Sequence, residues 1–230
     1  MPADISPDSR FAPSPSVYEA IRDDIISGRL GANERLKVAE LAARHHTSTN
    51  PVREALQQLR GEGFVVISPN RGARVRAMDA DFVRDIYEIE VLIEPTLTAA
   101  FVRLATEADM AELDRLQAEI ETLNFADPAR HSHLDSRFHL LMYERHRNRH
   151  LVELWWKHRE VLGAIARRYP VSMRRRAEVI EEHRILLRHI RAHDADAAAA
   201  TIARHVEGSG RHITEQMTSL RTARRPALAT

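Results

Sequence analysis

The chain has no cysteine. No disulfide framework therefore holds the fold, and no thiolate serves as a nucleophile or metal ligand. It also lacks any run of 18 or more apolar residues, which excludes a transmembrane helix. Its first residues, Met1-Pro2-Ala3-Asp4-Ile5-Ser6-Pro7, carry neither the basic cluster nor the apolar stretch of a secretory signal. These absences predict a cytoplasmic protein without membrane contact. With 230 residues, 43% of them apolar, the chain is long enough for one large domain or two small ones.

The net charge of +1 conceals an asymmetry. Residues 16–76 hold ten lysines and arginines against seven acids, whereas residues 77–218 hold twenty against twenty-four. A basic front and an acidic rear predict that the front alone meets a polyanion. Histidine is plentiful: eleven of thirteen lie after residue 130. That half invites a search for metal ligands.

Residues 1–15, with four prolines, read as a flexible leader. Ser16 then caps an amphipathic run through Val17, Ile21, Ile25 and Ile26 that ends at Gly28. A second short helix fits Val38 to His45. A third runs from about Pro51 to Glu62, with Val52, Ala55, Leu56 and Leu59 at helical spacing. Phe64-Val65-Val66-Ile67-Ser68 then changes to strand composition, Pro69-Asn70-Arg71-Gly72 turns, and Ala73-Arg74-Val75-Arg76 returns. Three helices and a β-hairpin in this order make a winged helix-turn-helix over residues 16–76. After a linker at 77–80, helices are expected at about 81–105, 107–124, 128–147, 149–168, 172–192 and 195–218. The fold class is thus mainly α, a winged helix-turn-helix followed by an antiparallel six-helix bundle over 81–218. A basic tail, 219–230, closes the chain.

A helix-turn-helix reads base edges in the major groove from the start of its second helix. The candidates there are Ser48, Thr49, Asn50 and Arg53, the arginine being suited to paired hydrogen bonds with guanine. Arg71 and Arg74 on the wing reach phosphate or the minor groove, and Arg35 and Lys37 hold the backbone. The run Pro51-Val52-Arg53-Glu54-Ala55-Leu56, with Leu59, Gly63-Phe64 and Pro69-Asn70-Arg71-Gly72-Ala73-Arg74-Val75, resembles the GntR family of bacterial regulators. The resemblance implies a homodimer on a palindromic operator. His45-His46-Thr47-Ser48 stands where the family often has Leu-Gly-Val-Ser. Thr49 stands where many members carry arginine, and Ala39 where they carry a basic or polar residue.

In the rear half, Asp135 and His139 are four apart on one helix and share a face. His183 and His205 each lie eleven residues from the turn at Asp194. In an antiparallel pair rising about 1.5 Å per residue, both sit roughly 16 Å below that turn, at one height. Two imidazoles facing an Asp/His pair make an N3O set suited to Zn²⁺, Ni²⁺ or a similar divalent transition ion. Asp135-Ser136-Arg137-Phe138-His139, Asn148, Glu182-His183-Arg184-Ile185-Leu186 and His205 are similar to the FCD ligand-binding domain of FadR-like GntR regulators. The count of six helices resembles its VanR-like branch. The resemblance implies a metal held by these four residues and a small carboxylate effector completing its shell. Arg137, Arg103 and Arg159 are the candidate cations for that acid. Glu90 departs from the family, which often has arginine there, ahead of the glutamate matched by Glu94.

The expected function is a transcription regulator, a repressor by family habit, and not an enzyme. Two alternatives stand beside it. One is a metal-dependent hydrolase with Glu182 as general base. The other is a DNA-binding protein whose bundle only dimerises around a structural metal.

Overall fold

The computed structural model describes residues 16–69, 71–166 and 168–223, so the expected leader, Asn70 of the wing turn and the tail beyond 223 lie outside the described residues. The chain divides into two compact units, 1–76 and 77–230.

In the first unit, α1 (Val17–Ser27), α2 (Val38–Arg44) and α3 (Thr49–Gly61) surround a core of Ile21, Ile25, Leu41, Val52, Leu56, Leu59 and Phe64. The Ser16 side chain accepts from the Glu19 amide, and the Glu19 carboxylate accepts from the Ser16 amide, which satisfies two donors at the start of α1. Gly28 ends that helix with φ 79°, a left-handed conformation cheap only for glycine. β2 (Val65–Ser68) and β3 (Gly72–Val75) form the expected hairpin. A third strand, β1 (Arg35–Leu36), pairs antiparallel with β3, giving the order β1-β3-β2. Two residues are too few to show an alternating pattern, so only pairing with β3 reveals this strand. His46, where the family often has glycine, adopts φ 49°.

The second unit contains α4 (Ala80–Val102), α5 (Glu107–Leu123), α6 (Pro128–Tyr143), α7 (Arg149–Ala166), α8 (Met173–Arg191) and α9 (Ala195–Ala223). Thr106, Asp127 and Ser172 cap α5, α6 and α8 with side-chain oxygens. The core runs through Leu97, Leu113, Leu116, Ile120, Phe138, Met142, Trp155, Leu186 and Ile202. α9 packs closely along α4 and α8. Two glycines permit this. A Cβ on Gly210 would lie 2.6 Å from Tyr87 Cγ of α4, and one on Gly208 would lie 2.7 Å from Arg175 Nη1 of α8. No described helix is long and apolar enough to cross a membrane.

Polar residues recur every fourth position on the inward faces of this bundle. α4 supplies Glu90, Glu94 and Thr98; α6 supplies His131, Asp135, His139 and Tyr143; α9 supplies Thr201, His205 and Ser209. A step of four stacks side chains one above another on a helix. The rear core therefore carries a polar seam through an otherwise apolar interior.

Candidate metal and effector site

His139 of α6, His183 of α8 and His205 of α9 converge, with one ring nitrogen from each lying within 4.8 Å of the others. The ring centroids of His183 and His205 are 4.9 Å apart, the equal height expected from their common distance to the turn. Asp135 Oδ1 lies 3.6 Å from His183 Nε2 and 4.0 Å from His139 Nε2.

Each imidazole is held from behind. His183 Nδ1 is 3.0 Å from Gln117 Oε1, and His205 Nδ1 is 2.8 Å from Glu182 Oε2. His139 Nδ1 is 3.6 Å from Glu94 Oε2 and 3.5 Å from the Tyr143 hydroxyl. Tyr143 in turn donates to Glu94 Oε2 at 2.8 Å. An acceptor at Nδ1 places the proton there and leaves the Nε2 lone pair free, the tautomer a metal-binding histidine uses.

Burial disfavours the imidazolium form. It holds His139 below the usual histidine range despite the opposing pull of Glu94. It holds His183 and His205 well below that range, helped by the neighbouring histidines and, for His205, by Arg175. The buried Nε2 atoms of His139 and His183 have no hydrogen-bond partner among the described residues. Neutral, buried, unpartnered nitrogens at one point are costly unless something accepts their lone pairs. The donor set therefore fits a divalent transition ion.

Beside this cluster lies a cavity of about 130 Å³. Glu94, Asp135, His205, Arg159 and Arg175 line its polar part, and Leu162, Val179, Val206 and Ile213 its apolar part. Arg159 pairs with Asp135 Oδ2 and donates through Nε to Ser136 Oγ at 3.1 Å. Arg175 donates to both carboxylate oxygens of Glu182 at 2.8 and 2.9 Å, to the His205 carbonyl at 3.0 Å and to Ser209 Oγ at 3.1 Å.

Of the three candidate arginines for an acid ligand, Arg159 alone lines the cavity. Arg137 is exposed and pairs with Glu112 at 3.8 Å. It stands two residues from both Asp135 and His139, about 200° around the helix, so it faces away from them. Arg103 is exposed at the C-terminal cap of α4. Neither lines this cavity. Glu182, considered as a general base, instead braces His205 and Arg175.

Gln117, Tyr143, His131 and Arg175 were missed in the sequence. The signal for two of them was present, since His131 and Tyr143 continue the Asp135/His139 step of four along α6. Glu90 proves to have a partner: it is buried, and its carboxylate meets His158 Nδ1 at 2.5 Å. Burial raises the Glu90 carboxyl to about 7 despite that hydrogen bond.

In the first unit, Ser48 is the N-cap residue of α3, and Thr49, Asn50 and Arg53 are exposed on its first turns. Arg53 Nη1 donates to Asn50 Oδ1 at 3.2 Å. Lys37 pairs with Glu40 at 2.6 Å at the start of α2. Arg71 is exposed next to the wing turn. Arg35 and Arg74 stand directly opposite each other in the β1–β3 ladder, both exposed, with Arg74 donating to the Asn33 carbonyl at 2.8 Å.

Residues 13–75 match the model of the bacterial regulatory proteins of the gntR family, and residues 85–208 match that of the FCD domain. The HTH-type transcriptional regulator YdhC of Bacillus subtilis is 25% identical over 199 residues, spanning 85% of this chain and 88% of its own. The HTH-type transcriptional repressor GlaR of Escherichia coli is 27% identical over 113 residues, 48% of this chain and 51% of the relative. Among solved structures, E. coli McbR/YncC superposes with a TM-score of 0.67 at 22% identity, covering 87% of this chain and 96% of that one. The metal-free FCD domain of TM0439 superposes with a TM-score of 0.50 at 19% identity, covering 62% and 99%. At such identities the structural likeness shows the fold alone.

Proposed function

The chain belongs to the GntR family, a DNA-binding transcriptional regulator with an FCD effector domain rather than an enzyme, and from that premise we propose a homodimeric repressor whose grip on a palindromic operator is set by a small organic acid bound beside a Zn²⁺ or Ni²⁺ ion. Asp135, His139, His183 and His205 hold the ion in this reading, and Arg159 meets the carboxylate of the acid.

One observation carries the effector reading. Two buried Nε2 atoms lack hydrogen-bond partners among the described residues, in a cluster whose Asp135 and His205 line a cavity together with the Arg159 guanidinium. The ion would supply a Lewis-acidic point for a carboxylate oxygen. The chain supplies the rest: neutral imidazoles held in one tautomer, a fixed cation, and a partly apolar wall. A purely structural metal would have no use for the cavity.

On the front unit, Arg53 reaches bases while Arg35, Arg71, Arg74 and Lys37 meet phosphates. Like charges placed opposite each other across a ladder are destabilising on their own. The Arg35/Arg74 pair is explained by a polyanion that relieves the repulsion. One recognition helix reads half a palindrome, which calls for two copies. Ile89 and Leu92, three apart on α4, and Trp156 on α7 are large apolar residues left exposed, as residues covered by a second copy would be. The sign, repression, follows the E. coli relative GlaR.

The test is a melting curve of the zinc-loaded chain with and without a panel of small carboxylic acids. A ligand at 100 times its Kd adds about 2.7 kcal/mol, roughly 5–10 °C for a domain of this size. Absence of bound metal, or no response to any acid, rejects the effector reading. An operator affinity that responds to no acid rejects regulation.

A further inference from the structure

Arg53 is the sole lysine or arginine between Arg44 and Arg60. The orientation of one guanidinium therefore decides what the first turns of α3 can read. That guanidinium is held. Arg53 Nη1 donates to Asn50 Oδ1 at 3.2 Å, and the Thr49 hydroxyl oxygen lies 3.5 Å from the same nitrogen. Residues three and four apart are neighbours on a helix surface, and helical side chains lean toward the N-terminus. The contact with Asn50 draws Arg53 toward the end of α3 that a helix-turn-helix presents to base edges. Both acceptors are uncharged. An acidic partner would hold the guanidinium too, but it would offset its charge and repel the phosphates of DNA. The Nε–Nη2 edge of Arg53 takes no part in these contacts, and paired N–H donors of this kind match the O6 and N7 acceptors of guanine.

We propose that Asn50 is a positioning residue for operator recognition: its side chain holds the Arg53 guanidinium ready for guanine and reads no base itself. This rests on the reading that α3 enters the major groove and that Arg53 meets a base there. An asparagine that reads adenine presents its amide oxygen and nitrogen together, whereas the Asn50 oxygen faces Arg53. The benefit is entropic. An arginine free in solution loses rotamer freedom when it docks on a base, and one already held loses less. Affinity for the matching site rises without a further contact to DNA. A duplex that offers no guanine to Arg53 gains nothing from the brace, so Asn50 contributes to discrimination between sequences and not to the attraction common to all DNA.

The experiment is a double-substitution cycle read by fluorescence anisotropy. The full chain, Asn50→Ala, Arg53→Ala and the combined variant are titrated with a duplex selected from random sequence by the unaltered protein, and with a scrambled duplex of equal length. Arg53→Ala should weaken binding of the selected duplex by at least about fivefold. Asn50→Ala should weaken it by about threefold to tenfold, the worth of ordering one long side chain, and should leave the scrambled duplex unaffected. Both side chains are exposed, so melting temperatures should not change. In the Arg53→Ala background, Asn50→Ala should cost nothing further, because its effect passes through the missing guanidinium. An equal loss in both backgrounds would show Asn50 touching DNA directly and overturns the proposal. So does an equal loss on both duplexes, or no loss on either. Unchanged binding by Arg53→Ala overturns the base reading itself, and the brace falls with it.

Discussion

Replacing Glu182 by glutamine tests the support behind the metal cluster. The Glu182 carboxylate neutralises the buried Arg175 guanidinium and also receives the Nδ1 proton of His205. Glutamine keeps the length and one acceptor oxygen but removes the charge. Arg175 would retain the His205 carbonyl, Ser209 and the half-exposed Glu178 at 3.4 Å. Breaking a fully buried ion pair costs about 3–5 kcal/mol. Glu182 keeps a fifth of its side-chain surface in water, so about 2–3 kcal/mol is expected, a fall of roughly 4–12 °C in the melting temperature of the metal-free chain. The second effect is on the ion. Loss of a carboxylate behind a metal-binding histidine lowers affinity about 10–100-fold, read by competition against a chromophoric chelator. If Glu182→Gln binds zinc as tightly as the unaltered chain, His205 is not held by this carboxylate in the way described. An unchanged melting temperature would show that Arg175 does not depend on it.

Arg53→Ala should weaken operator binding by about 1–3 kcal/mol in a gel shift, with the melting temperature unchanged, because the side chain is exposed. His183→Ala combined with His205→Ala should empty the metal site; full occupancy by elemental analysis would remove it from consideration. Gly210→Ala drives a methyl into Tyr87 and should cost about 1–3 kcal/mol of overpacking, seen as a lower urea midpoint. Acid should destabilise the metal-free chain. His131, His139, His183 and His205 are held neutral below their ordinary range, whereas in the unfolded chain they protonate near pH 6.5. The unfolded state thus gains protons first, and stability falls as pH drops below about 6.5, by up to about 1.4 kcal/mol per pH unit for each histidine. A flat stability between pH 7 and 5 would contradict the burial of these rings.

Wherever a residue's role follows from its own helix, the sequence discloses it. The spacing of Val52, Ala55, Leu56 and Leu59 marks α3, and the symmetry of His183 and His205 about Asp194 foretells their meeting. Roles that depend on a neighbouring element stay hidden. Gln117 is an ordinary polar residue of α5 until α8 brings His183 within 3.0 Å. β1 is a strand only because β3 lies beside it. Arg137 and Arg159 look equivalent in sequence, yet they differ because α6 turns one outward and α7 turns the other toward Asp135. Glu90 appears as a departure from the family until His158, 68 positions away, is seen to be its partner.

The polar seam sets a cost that connects the site to the stability of the bundle. Glu90, Glu94 and Asp135 are buried on two helices, with Arg159 and His158 against them. Buried carboxylates are tolerated only when paired, and Asp135 divides its two oxygens between Arg159 and the histidine cluster. A divalent cation at that cluster would take up the Nε2 lone pairs and the remaining Asp135 oxygen together. Its binding energy is then stability added to the folded state alone. The metal-free bundle should accordingly be the more dynamic of the two, with opening concentrated where α6, α8 and α9 meet. Hydrogen exchange would locate this: amides near His139, His183 and His205 should gain protection on addition of zinc, while those of α1 to α3 should not. Uniform protection across both units would mean that the ion stabilises the chain by some route other than the seam.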